Sequence, residues 1–95
     1  MTSLDIESIR AEIDELDREI VGLVSRRQHW VEEAGKLKAD RAAVQAPDRV
    51  EKVIVKVRGI AEESGAAPDV VERMYRAMIA AFIDVELAVH QQHKP

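Results

Sequence analysis

The sequence predicts an all-α fold, on three observations. Apolar residues recur at helical spacing through nearly the whole chain. Aromatic residues make up only 3% of the 95 residues, with 4 Gly and 3 Pro, so residues that favour strands and tight turns are scarce. Hydrophobic (46%) and charged (34%) residues are both abundant, as amphipathic helices require. A chain of this length is expected to form one domain over residues 1–95, being too short for two independent cores.

The first helix is expected over residues 4–40. Ile6, Ile9, Ile13, Leu16, Ile20 and Leu23 follow in steps of three and four. The same phase continues through Arg27, Trp30, Ala34 and Leu37. Thr2 or Ser3 suits the N-cap, with Asp5 and Glu7 in the first turn. Residues 40–47 read as a connector. Pro47 and Asp48 then signal the start of a second helix over 47–64, with the stripe Val50, Val53, Ile54, Val57, Ile60 and Ala61. The β-branched run from Val53 to Val57 would suit a strand, but the surrounding period is helical and no partner strand exists. Gly65 is the stop. Pro68 and Asp69 repeat the start signal. Val71, Tyr75, Met78, Phe82, Val85 and Val89 mark a third helix over 68–91, with the tail HQQHKP expected to fray.

Helix length has a consequence for assembly. At 1.5 Å per residue the first helix would exceed about 50 Å. A compact chain of this size is only about 30 Å across. Two shorter helices cannot cover such a stripe, so an intertwined helical-bundle homodimer is expected. The alternative, a projecting solvated end, would leave Ile6, Ile9 and Ile13 bare.

Composition excludes several classes. The formal net charge of −4 argues against a general nucleic-acid binder. Without cysteine there is no disulfide framework or thiolate zinc site. No apolar run approaches the roughly 18 residues of a membrane span. The start MTSLDIESIR has acids where a signal peptide needs a basic end and an apolar run. The expected setting is cytoplasmic, with no nucleic acid or membrane as partner. Ser25 and Ser64 have no accompanying His and Asp, and His90 and His93 lack a third metal ligand. His29 is expected at the surface beside Trp30. No phosphate-binding loop or zinc motif is present, and neither metal nor cofactor is expected.

Most charges fall off the stripes: Glu12, Glu15, Arg18, Glu19, Glu32, Glu33, Glu62 and Glu63 read as a solvated face. Three do not. Arg27 occupies a core phase of helix one and needs an anion. Lys38, eleven residues on, returns to within about 20° of the same face some 16 Å along the axis. Glu86 borders the apolar side of helix three, where a carboxyl requires either a proton or a neighbouring cation. Two readings follow: a structural ion-pair network of Arg27 and Lys38 with Glu86, or an anion pocket inside a helical bundle. Arg49, in the first turn of helix two, can add a cation. Arg10 lies about 25 Å along the helix from Arg27. It reaches such a pocket only across an antiparallel dimer.

The stretches IRAEIDELDREIVGLVSRR, GKLK, APDRV and MIAAFIDVE, spread over residues 4–91, resemble the small all-helical class of chorismate mutases. The resemblance implies an intertwined three-helix dimer with two active sites. It implies that Arg10 crosses from the other subunit to hold a substrate carboxylate and that Arg27 holds a carboxylate within its own chain. Lys38 would stand near the ether oxygen of the breaking bond, Arg49 at the start of helix two, and Glu86 facing that oxygen. Val50 stands where the family usually has a hydroxyl-binding Glu, and Phe82 where it has a small hydroxyl residue. Pro47, or Ala46 with a one-residue gap, replaces an acid before Arg49. The stretch AAVQAPDRV is closer to the isochorismate pyruvate lyases, a branch that lacks the same Glu but has Gln at the position of Glu86. Amino-deoxychorismate mutases form a third branch.

The expected function is therefore rearrangement of the chorismate dianion to prephenate, without nucleophile, metal or cofactor. Arg10, Arg27 and Lys38 would hold the carboxylates and the developing oxyanion. Glu86 can donate to that oxygen only when protonated, so activity would fall with rising pH and Glu86→Gln would flatten the profile. The alternative reaction is elimination of pyruvate from isochorismate to give salicylate. A different class is a non-catalytic helical dimerisation or regulatory module, which would have no need of Arg27 on its seam.

Overall fold

The computed structural model describes residues 4–93, all of whose regular structure is helical. Helix α1 spans Ile6–Leu37, α2 Arg41–Gln45, α3 Pro47–Ser64 and α4 Pro68–Gln92. The expected order and type of the long helices therefore hold, with corrections at their ends. The chain divides into two units, Met1–Trp30 and Val31–Pro95.

The first unit contains the greater part of α1. Its start is capped by Asp5, whose Oδ1 accepts from the Ser8 backbone N–H at 2.8 Å. That bond holds the Asp5 carboxyl below its usual range. Asp5 is thus the cap and not a first-turn residue, while Thr2 and Ser3 lie outside the described residues. Ile6, Ile9, Ile13, Leu16, Ile20 and Leu23 form the expected stripe, and each is 41–58% exposed.

In the second unit α3 and α4 pack along each other, and α2 packs on α4. The core comprises Val44, Ile54, Val57, Ala61, Ile79 and Phe82. Two expected core positions, Ile60 and Leu37, are exposed. Helix α1 ends at Leu37, three residues early, because Asp40 starts a new element: its Oδ1 accepts from Ala43 N–H at 2.8 Å. The expected connector thus contains a helical turn, α2, that buries Val44. Between α2 and α3, Ala46 takes φ 33°, ψ 63°, which lets Pro47 begin α3. Gly65 ends α3 at φ 78°, with Ala66 N–H on the Ala61 carbonyl at 2.8 Å. The fourth helix passes the expected fraying point, and His90 is buried within it. Among the described residues no helix is long and apolar enough to cross a membrane.

An ionic network not foreseen in the sequence ties α3 to α4. The Arg76 guanidinium donates to both oxygens of Glu51 at 2.9 Å and to Glu72 at 2.8 Å. Arg58 donates to Asp69 at 2.9 Å and to Glu72 at 2.8 Å. Its members fall 25, 14, 11 and 4 residues apart, so only the packed hairpin brings them together.

Two outcomes follow. The hydrogen bonds from Arg76, joined at Glu72 by that from Arg58, hold the Glu51 and Glu72 carboxyls below their ordinary value of 4.5. Their contribution is complete above that value and is lost as pH falls through the lowered values. Melting temperature measured from pH 7 down to pH 3 is expected to drop in the acid limb, and Glu72→Gln to reduce that drop. Separately, Ala46→Gly removes the left-handed strain of a Cβ-bearing residue. It should raise stability by up to about 1 kcal/mol, read as an increased denaturation midpoint in urea.

Candidate active site

The second unit brings two of the expected site residues into contact. Lys38 follows the end of α1, and Glu86 lies in the middle of the buried face of α4. Lys38 Nζ stands 2.5 Å from Glu86 Oε1, with the Glu86 side chain only 7% exposed and that of Lys38 31% exposed. The approach is an ion pair without directed hydrogen-bond geometry, which leaves Oε1 with a counter-charge but no donor aimed at it. A buried carboxylate without a cation would be strongly disfavoured. Lys38 supplies that cation from the half-exposed side, where an incoming anion can also meet it.

Gly35 makes the contact possible. It is buried in the last turns of α1. A Cβ on Gly35 would lie 3.0 Å from Glu86 Cγ, 3.0 Å from the Glu86 carbonyl oxygen and 3.5 Å from Val89 Cβ. The α1 backbone therefore lies directly on the turn of α4 that carries Glu86. Lys38, one turn further on, then reaches back to the carboxylate. The sequence held the signal, a glycine inside an apolar helical stripe, but the residue against which it packs is remote in sequence.

The other expected residues are placed as follows. Phe82 is buried one turn before Glu86 on α4 and forms the apolar floor of that face. Val50 is half-buried and Arg49 exposed in the first turn of α3. Arg10 and Arg27 belong to the first unit: Arg10 is exposed, whereas Arg27 is half-buried and engaged in an interaction. Glu32 and Glu33, expected on a solvated face, are half-buried, with Glu33 accepting from Lys36 at 3.0 Å. His29 is at the surface with its ring edge-on to Trp30. His93 holds the end of α4 through Nδ1, 3.1 Å from the Val89 carbonyl oxygen. His90 was expected in a frayed tail. It is instead 7% exposed, with Nε2 buried and without a partner. Among the described residues no group of three or more His, Cys, Asp or Glu side chains is arranged to hold a metal ion.

These features define an all-helical protein whose polar site is a cation just past the end of α1 and a carboxylate on α4. Residues 9–87 match the chorismate mutase type II family. The chain is 32% identical over 87 residues to an isochorismate pyruvate lyase of Pseudomonas aeruginosa, covering 92% of this chain and 86% of that protein. It is 33% identical over 72 residues to the T-protein of Haemophilus influenzae, covering 75% of this chain but 19% of that longer protein. The chain belongs to the chorismate mutase type II family.

The close approach at Gly35 is open to measurement. Gly35→Ala forces α1 away from α4 and is expected to cost about 1–3 kcal/mol of stability. Gly59→Ala in α3, where a Cβ meets nothing within 4 Å, should instead gain up to about 1 kcal/mol from helix propensity. Chemical denaturation of the two variants side by side checks both signs.

Proposed function

We propose that the protein binds the chorismate dianion and rearranges it to prephenate, breaking the ether C–O bond as a new C–C bond forms. The observation that carries this reading is the buried Lys38–Glu86 pair in a chain of this family. A pericyclic step needs no nucleophile. It needs the substrate held as a compact conformer and charge stabilised on the ether oxygen as the bond breaks. Lys38 is the group for that oxygen: it is half-exposed, cationic and fixed at one end of a helix. Glu86 sits beside it as a second group near the same atom. Arg27 and Arg49 would take the substrate carboxylates, and Phe82 with Val50 would shape the apolar wall.

The reading includes a homodimer in which Arg10 of one chain completes the site of the other. The exposed stripe from Ile6 to Leu23 supports it, because that apolar line is covered by nothing within its own unit. A second reading is elimination of pyruvate from isochorismate to give salicylate. The relative from Pseudomonas aeruginosa and Val50 favour it, since Val50 offers no carboxylate to a substrate hydroxyl.

Purified protein supplied separately with chorismate and isochorismate tests both. Prephenate from the first supports the mutase reading, and salicylate with pyruvate from the second supports the lyase reading. In either case Arg27→Leu is expected to lower kcat/KM by about 100-fold or more, the loss of a charge-assisted carboxylate contact. Sedimentation should still report a dimer, because leucine suits the stripe. Dissociation of that variant would mean that Arg27 serves the interface.

A further inference from the structure

Two buried polar atoms of α4 lack a hydrogen-bond partner, Glu86 Oε1 and His90 Nε2. They belong to residues four apart on the same buried face, 6% and 7% exposed. Side chains at that spacing are direct neighbours, with Cβ atoms about 5–6 Å apart. Gly35 closes this part of α4 from the α1 side, against Glu86 and Val89. A leucine would fill the place of His90 without leaving a polar atom unmatched, so the imidazole has a use that the resting structure does not display.

The proposed function gives the occasion for that use. A Lys38 ammonium that serves a substrate oxygen shares its charge and its three donors between that oxygen and Glu86. As it turns to a bound anion, Glu86 Oε1 gives up part of the one counter-charge it has among the described residues while staying buried. Resting on that reading of the site, we propose that His90 is a positioning residue that receives Glu86. As Lys38 leaves for the substrate, the Nε2–H of His90 donates to the released carboxylate oxygen. No covalent bond changes in this step. The Glu86 carboxyl exchanges one buried partner for another and stays in place beside the reacting atoms. His90 itself touches no substrate.

The exchange is observable without turnover. Lys38→Met removes the competing cation, so Glu86 should turn to His90 in the free protein. Long-range 1H–15N spectra of the imidazole would then show His90 Nε2 displaced relative to wild type. Adding chorismate or isochorismate to wild type should displace the same resonance in the same direction. An unmoved Nε2 signal in a folded Lys38→Met protein overturns the proposal. Kinetics provide a second arm should that variant fail to fold. His90→Leu is expected to lower kcat about tenfold with KM nearly unchanged, and His90→Gln, which keeps a donor, to restore most of it. Equal kcat values for the two variants also overturn it. If His90 responds to Lys38→Met but neither substrate is consumed, the partner exchange stands and the assigned reaction falls. If there is neither response nor turnover, both fall.

Discussion

The second unit is organised around one close approach, that of the α1 backbone to α4 at Gly35. A Cβ there would crowd the contact, because the carbonyl oxygen of Glu86 lies 3.0 Å from where it would stand and would have to give by a few tenths of an ångström. Once that contact is made, the direction of the chain leaving α1 is set. Lys38 falls opposite Glu86, and the carboxylate can be buried because its counter-charge arrives with the same backbone. The site is polar in a place where the rest of α4 presents Ile79 and Phe82.

The short helix α2 contributes to the same arrangement from the other side. Asp40 stops the run of α1 by capping a new helix, which redirects the chain across α4 and buries Val44 there. The left-handed turn at Ala46 then releases the chain into α3 with Pro47 in its first turn. Without these two devices the apolar phase of α1 would continue, and Lys38 would lie on an uninterrupted helix. The strained Ala46 is the local cost of turning within one residue.

Punctuation at fixed residues was legible in the sequence. Pro47, Gly65 and Pro68 fix the ends of α3 and α4 by local backbone chemistry, and the structure has them where the sequence put them. What depends on remote packing was less legible. Asp40 is a cap only because the chain turns there. His90 looked like part of a polar tail because its neighbours Gln91 and Gln92 are polar, yet it is four residues after Glu86 and shares its face. The pairing of Arg76 with Glu51 spans 25 residues and needs the hairpin to exist first. For the site, the sequence singled out Lys38 and Glu86 as charges at apolar phase, which is a local property. It did not reveal that Gly35 brings them together, which is a property of two helices.

The phase of α1 places a cation on the same side as its apolar stripe. Ile6, Ile13, Ile20 and Arg27 stand seven residues apart, and a straight helix drifts only about 20° per heptad. Arg27 therefore lies about 20° around the helix from Ile20, about 40° from Ile13 and about 60° from Ile6, all exposed in its own unit. A surface that covers Ile13 and Ile20 must also meet a guanidinium. Arg27 is itself half-buried and already engaged in an interaction. The exposed apolar stripe and Arg27 thus share one side of α1.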